Sequence, residues 1–143
     1  MKIFSLFIVS LFGCMSLFAQ EKGFVIKGRI PGMPDGVEVS LLAAEKDLLG
    51  GESSTLVETT VKNGYFELRG KLDAPLLCTL ITNNQMLHLK DTSCQIKWTY
   101  TPLFVENVEI AIKADDYDSV TSETPFIVEG GEAQRDYAEY QRL

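Results

Sequence analysis

The stretch that decides the fold spans residues 56–72 and reads LVETTVKNGYFELRGKL. Two runs of alternating apolar and polar side chains flank Asn63 and Gly64, a dipeptide that strongly favours a two-residue type I′ turn. Such a turn sets the register of both strands and places Glu58 opposite Arg69, an opposite-charge pair on the polar face. A shift of one residue would turn the apolar side chains into water. The pattern therefore predicts a β-hairpin whose apolar face packs against a second sheet.

The chain after residue 19 has the period of two that is typical of half-buried strands. Residues 24–30 and 37–41 alternate in this way on either side of a segment dense in turn formers. Seven or eight short strands separated by turns indicate an all-β protein, an antiparallel β-sandwich. Outside the hairpin and these two strands, further strands are predicted at 76–82, 86–89, 96–100, 108–112 and 125–128.

One segment near the C-terminus has helical rather than strand periodicity. A pair of glycines precedes EAQRDYAEYQRL, in which Ala133, Tyr137 and Tyr140 recur at helical spacing. We therefore predict one short helix within residues 130–143 and place the sandwich domain at residues 20–129.

Residues 1–19 differ in composition from the rest of the chain. They read MKIFSLFIVSLFGCMSLFA, with Lys2 as the only charged side chain. A basic start, an apolar run and a small residue at Ala19 predict the helix of a secretory signal peptide, cleaved after that residue. The apolar run is shorter than the roughly 20 residues that span a bilayer, which disfavours a membrane anchor. Lipidation at Cys14 is a third alternative, disfavoured because bulky Phe12 lies where such sites prefer a small residue.

Net charge limits the class of partner. The 143 residues include 13 basic and 20 acidic side chains, a formal net charge of −7. Cleavage after Ala19 removes one basic residue and no acidic one, which leaves −8. Nucleic acids and anionic membranes bind basic surfaces, so neither is an expected partner. We expect an exported protein, in the periplasm or cell envelope, with no membrane span after cleavage.

Two cysteines remain after cleavage, Cys78 and Cys94. An even number in an oxidising compartment permits a disulfide between them. Two separate thiols are the alternative, because Cys78 lies in an apolar run where a small buried residue needs no partner. The sequence leaves these alternatives open. It contains no CxxC motif, so the residues for dithiol redox chemistry are lacking.

A search of the sequence for catalytic or metal-binding motifs finds none. His88 is the only histidine, so no His-rich zinc site can form, and its alternation with two leucines predicts a surface position on a strand. An acidic cluster lacks the spacing of an EF-hand and is expected to be a solvated loop. We expect neither a metal nor a cofactor. The acidic cluster consists of Asp115, Asp116, Asp118 and Glu123.

Three aromatic residues, Tyr65, Trp98 and Tyr100, could contact a sugar ring or a peptide if they were exposed. Trp98 and Tyr100 share a predicted strand face with Ile96. Packing in the core is therefore their expected role, and a ligand-contacting surface is the alternative.

Two stretches resemble an uncharacterised β domain of secreted proteins in Bacteroides-type bacteria. They are FVIKGRIPGMPDGVEVSLL at residues 24–42 and VKNGYFELRGKLDAP at residues 61–75. In that family the domain usually precedes a thioredoxin-like disulfide reductase domain of the TlpA/ResA type. The shared motifs are structural turns, so there is no catalytic residue to carry over. The turn residues that match are Gly32, Pro34, Asp35, Gly36, Asn63 and Gly64.

The resemblance implies a non-catalytic exported β-sandwich that positions substrates for, or interacts with, a thioredoxin-like domain or another envelope protein. A stand-alone module that binds a glycan or an envelope ligand is the alternative. The family pattern also implies that residues 130–143 begin a helical linker. The chain is therefore expected to be either the front part of a longer protein or a stand-alone copy of the domain.

Overall fold

The computed structural model of the protein describes residues 22–43 and 54–143. The predicted signal peptide at residues 1–19 and the lipidation alternative at Cys14 lie outside the described residues. The strands are β1 (Phe24–Arg29), β2 (Glu38–Ala43), β3 (Thr55–Thr60), β4 (Tyr65–Gly70), β5 (Leu76–Asn83), β6 (Trp98–Val105), β7 (Glu109–Lys113) and β8 (Ile127–Glu129). The helices are α1 (Gln85–Lys90) and α2 (Glu132–Gln141).

The strands form two four-stranded sheets that enclose one hydrophobic core. Sheet 1 has the order β4-β1-β7-β8 and sheet 2 has the order β3-β2-β5-β6. All pairs are antiparallel except β1 and β7, which run parallel. The predicted all-β sandwich is therefore confirmed, with one parallel pair in it. The largest fully buried side chains include Ile26, Ile30, Leu41, Phe66, Leu68, Leu80, Leu103 and Ile110.

The turn at Asn63 and Gly64 forms as predicted, with φ angles of 54° and 70°. These left-handed angles suit a type I′ turn, which asparagine and glycine tolerate best. The predicted hairpin beyond the turn is wrong, because only the bridge between Lys62 and Tyr65 joins its two arms. From there β3 pairs with β2 in sheet 2 and β4 pairs with β1 in sheet 1. The turn is thus a corner of the sandwich.

The predicted pairing of Glu58 with Arg69 fails for the same reason. Glu58 lies opposite Ser40 of β2, and the guanidinium of Arg69 instead pairs with Glu67 at 3.0 Å. Splitting the arms lets both apolar faces meet across the core rather than side by side in one sheet. The alternation of residues 56–72 therefore predicts correctly which side chains are buried, but it does not predict which strands pair.

The segment predicted as a strand at residues 86–89 is the helix α1. A match to strand alternation over four residues cannot distinguish a strand from one turn of helix. The side chain of Asn84 closes this connection, because its Nδ2 donates to the carbonyl of Gln95 and its Oδ1 accepts from the amide of Lys97, both at 2.7 Å. α1 and its following loop therefore connect β5 to β6 where a tight hairpin was expected.

β6 runs through Pro102, although the predicted strand ends at Tyr100. Proline is tolerated because β6 is an edge strand, where a missing N–H can face away from the neighbouring strand. The amide of Phe104 donates to Oε1 of Gln134 on α2 at 2.8 Å. The predicted C-terminal helix is confirmed as α2, which covers this end of the edge.

Of the residues that recur at helical spacing in this helix, Tyr140 is 75% exposed. Gln134 is buried instead, and Tyr137 packs edge-on against Phe104 with ring centroids 5.4 Å apart. Within the described residues, neither helix is long and apolar enough to cross a membrane.

Candidate functional site

Two aromatic rings lie on the outer surface of sheet 2. The side chains of Trp98 and Tyr100 are 43% and 48% exposed. Their ring centroids are 6.4 Å apart and their planes differ by 13°. The prediction that both rings pack in the core is wrong, and they form an exposed aromatic pair on an edge strand.

Polar residues take the inward positions of β6 near this pair. The hydroxyls of Thr82 and Thr99 are hydrogen-bonded to each other inside the sandwich at 2.5 Å. The hydroxyl of Thr101 accepts a hydrogen bond from the amide of Phe126 at 3.3 Å. Because buried hydroxyls with partners cost little, the larger aromatic side chains can face outward. The continuation of the alternation through buried Leu103 and Val105 was the signal that could have predicted this orientation.

We call the outward side chains of β5 before Asn83, together with those of the first part of β6, the aromatic face. Their register places Ile81 beside Tyr100 and Thr79 beside Pro102. None of these outward positions carries a charged side chain. Interface cores are depleted in charged residues and enriched in tryptophan and tyrosine. The aromatic face consists of Leu77, Thr79, Ile81, Trp98, Tyr100 and Pro102.

The outer surface of sheet 1 has the opposite character. Its charged side chains form three ion pairs, Lys27–Glu109, Glu67–Arg69 and Lys113–Glu129. Such exposed pairs are typical of a solvated surface and contribute little to stability. Tyr65 lies on this sheet, where the guanidinium of Arg29 sits 5.1 Å from its ring centroid. The structure therefore does not bring Tyr65 together with Trp98 and Tyr100.

Carboxylates flank the aromatic face on the other half of sheet 2. Glu38 lies opposite Asn83 of β5, and Glu58 lies opposite Ser40 of β2. Glu38, Ser40, Glu58, Thr59 and Thr60 line a surface cavity of about 280 Å³. The sequence analysis did not single out this acidic side of the sheet, because the pairing of β3 with β2 was not foreseen.

Both Cys78 and Cys94 are free thiols in the structure. Cys78 faces the core from the middle of β5, whereas Cys94 receives a hydrogen bond from Asn84, just beyond the end of that strand, at 3.5 Å. Six residues of extended chain separate Cys78 from Asn84, about 20 Å, and a disulfide needs α-carbons within about 7 Å. The disulfide alternative is therefore not the one the structure adopts. Burial raises the pKa of the Cys78 thiol to about 11.

The other candidate residues have local structural contacts. His88 lies on α1 rather than on a strand, with Nδ1 hydrogen-bonded to the carbonyl of Cys94 at 2.5 Å. In the acidic cluster, Oδ1 of Asp116 accepts from the amide of Ser119 at 2.7 Å. Among the residues that the structure describes, no group of three or more acidic, histidine or cysteine side chains could hold a metal ion.

The turn residues that carry the resemblance meet at one end of the sandwich. Oδ1 of Asp35 accepts a hydrogen bond from the amide of Asn63 at 2.7 Å, which ties the first turn to the corner turn. Gly32 and Gly36 have φ angles of 79° and 91°, which favour glycine. Pro34 and Gly64 complete the two turns. These residues hold the two sheets together at their connection, and Gly36 lies two residues before Glu38 of the acidic cavity.

Comparison with known families places the chain among uncharacterised domains. The family described as "Domain of unknown function (DUF4369)" matches residues 24–137, most of the chain. No curated protein and no solved structure matches the chain. The match supports the predicted uncharacterised domain and includes the aromatic face.

Proposed function

The chain belongs to the DUF4369 family of domains of unknown function, and from this premise we propose that it is a non-catalytic binding module. The aromatic face is its contact surface. The observation that carries the proposal is the exposed pair of Trp98 and Tyr100, 6.4 Å apart on a surface whose outward positions are uncharged. Aromatic residues of this kind supply much of the binding free energy in interfaces.

We propose further that the protein is exported and acts beside a thioredoxin-like oxidoreductase domain, as a substrate-positioning or interaction module. The signal-like residues 1–19 support export. The turn motifs that resemble domains preceding such oxidoreductases support the partner. The chain supplies no CxxC motif of its own, so the thiol-disulfide chemistry belongs to the partner.

Site-specific photo-crosslinking in the producing cells tests the contact surface. A photoreactive amino acid at position 100 is expected to give an adduct with a thioredoxin-like protein, identified by mass spectrometry. The matched control carries the same amino acid at Ile127, which is 58% exposed on the opposite sheet. The same adducts at both positions, or none at position 100, would contradict the proposal.

A second experiment tests the non-catalytic role. The purified chain is expected to give no turnover in an insulin-reduction assay, because dithiol exchange needs two cysteines in reach of each other. Clear turnover would contradict the non-catalytic role, and its loss on replacement of Cys78 and Cys94 by serine would assign the chemistry to these thiols.

A glycan is the second candidate ligand, favoured by the 13° angle between the two ring planes, since flat aromatic surfaces can stack on sugar rings. Trp98 is the only tryptophan of the chain, so its emission reports on this surface alone. A neutral oligosaccharide that shifts this emission, with the shift lost in Tyr100→Ala, would favour the glycan. An unchanged emission would count against it.

A further inference from the structure

Building on the proposed function, we infer that the partner presents basic side chains beside an apolar anchor, and that Glu38 and Glu58 receive the basic groups. The aromatic face receives the apolar anchor. The occupant is thus a protein segment or surface rich in lysine or arginine, and other ligands are outcomes of the test below.

The two carboxylates carry the first part of this inference. Glu38 and Glu58 lie on the same outer face of sheet 2 as Trp98 and Tyr100, through the registers of β3, β2, β5 and β6. Neither forms an ion pair within the described residues, whereas six charged side chains on sheet 1 are paired. The only charges on this outer face in the described part of sheet 2 are therefore negative and uncompensated.

The cavity between these carboxylates suits a cationic side chain. Its volume of about 280 Å³ is bounded by Glu38 and Glu58 and by the residues Ser40, Thr59 and Thr60. A guanidinium has five N–H donors and pairs with carboxylates in a bidentate manner. Carboxylate oxygens are acceptors only, so the cavity matches a donor-rich cation and repels an anion. The net charge of −7 likewise attracts a cationic partner and repels an anionic one.

The distance across the sheet sets the size of the occupant. Tyr100 and Glu58 belong to the same row of the sheet, with Ile81 and Ser40 between them. Three strand spacings separate them, about 14 Å. A single sugar ring is too short to reach both ends of this row, whereas about four extended residues of a peptide can. The geometry therefore favours a polypeptide that crosses the strands.

The edge of β6 argues against a partner that simply adds a strand. Pro102 has no N–H to offer at this edge, and Gln134 already occupies the amide of Phe104. Only the positions of Trp98 and Tyr100 remain on that side, too few for a stable added strand. The partner is therefore expected to lie on the face of sheet 2 and not along its edge.

Three pools of synthetic octapeptides test this inference with the purified full chain. In every pool leucine or phenylalanine alternates with one polar residue, which is arginine, glutamine or glutamate. The peptides contain no tryptophan, so Trp98 emission follows binding. We expect the arginine pool to bind at least about tenfold more tightly than the glutamine pool, because close charge pairs in interfaces couple strongly. The glutamate pool should bind most weakly.

Variants separate the inference from the proposed function. The double variant Glu38→Gln with Glu58→Gln should lose the tenfold preference for arginine. The control double variant, Glu123→Gln with Glu139→Gln, removes the same charge from exposed positions elsewhere and should keep the preference. Equal binding of the arginine and glutamine pools, with both lost in Tyr100→Ala, would overturn the inference and leave the proposed function intact.

The remaining outcomes are also decisive. If only a neutral oligosaccharide shifts the emission of Trp98, the basic partner is excluded and the aromatic face keeps its binding role. If the arginine pool binds and Tyr100→Ala leaves its affinity unchanged, the inference and the proposed contact surface both fail. If no pool and no oligosaccharide binds, the inference is wrong.

Discussion

At the scale of single residues, Gly28 shows how tightly sheet 1 is packed. It lies directly opposite Phe66 in the register of β1 and β4. A β-carbon at position 28 would overlap Cζ and Cε1 of that buried ring. Only glycine at position 28 lets the ring of Phe66 lie over β1. Aromatic rings are known to cover glycines on neighbouring strands in this way.

Gly28→Ala is therefore expected to destabilise the protein by about 1–3 kcal/mol, the usual cost of overpacking a core. Urea unfolding measures this loss. In a Phe66→Leu background the clashing atoms are absent, so the same substitution should cost less. The matched control is Gly32→Ala. A β-carbon at this position has no neighbour within 4 Å, so only the φ of 79° makes alanine unfavourable there. Its cost should be the same in both backgrounds, and an equal cost of Gly28→Ala in both would contradict the packing described.

Cys78 makes stability depend on pH in the alkaline range. Burial raises the pKa of its thiol to about 11, compared with about 8.5 in an unfolded chain. Between these values the unfolded state has lost the proton and the native state still holds it. The stabilising contribution is therefore fully present below about pH 8.5 and disappears as the pH rises towards 11.

We expect the free energy of unfolding to fall by roughly 2 kcal/mol more in the wild type than in Cys78→Ala between pH 8.5 and 11. Urea midpoints at several pH values measure the difference. Tyr117, whose pKa burial also raises, remains in both proteins and so cancels from the comparison. Parallel pH profiles for the two proteins would show that Cys78 is not shielded from water.

At the scale of elements, the contact between β6 and α2 protects one edge of sheet 2. The amide of Phe104 has Gln134 as its partner at 2.8 Å, and Gln134 is buried. Removing that acceptor leaves an N–H unpaired, which costs about 1–3 kcal/mol when the group stays buried. Part of this cost is recovered if α2 detaches, because water can then accept a hydrogen bond from the amide of Phe104.

Gln134→Ala should therefore accelerate amide hydrogen exchange at Phe104 and along α2, with little change in the strands of sheet 1. The control is Arg135→Ala, which alters an exposed neighbour on the same helix. That control should leave the exchange rate of Phe104 unchanged. Unaltered protection of Phe104 in Gln134→Ala would show that another group holds the end of β6.

The elements also show what local pattern can and cannot predict. The type I′ turn at Asn63 and Gly64 follows from two residues and was predicted correctly, because the chemistry of the turn is local. The strand before β3 is β2 and the strand after it is β4, and alternation is compatible with pairing to either. That β3 joins β2 depends on how the two sheets pack, so alternation alone could not supply it. The helix α1 was missed because four residues are too few to distinguish the two periods.

At the scale of the whole molecule, the two outer surfaces differ in kind. Sheet 1 displays paired charges, and sheet 2 displays an uncharged aromatic half beside an acidic half. The identity of Trp98 and Tyr100 as candidate ligand contacts was available from the sequence. Their exposure was missed because the face shared with Ile96 was taken as the inner one, although the alternation through Leu103 and Val105 marks the opposite face as buried. The acidic half emerges only when β2 and β3 are paired.

The most direct measurement of the central claim is acrylamide quenching of Trp98, the only tryptophan of the chain. It is made on the free protein, on the urea-unfolded protein and on the complex with the arginine octapeptide pool. Trp98 is 43% exposed and stacks on Tyr100, so the free protein should be quenched clearly, though less than the unfolded chain. The complex should show marked protection. Weak quenching in the free protein, or a bound peptide that leaves the quenching unchanged, would contradict the account.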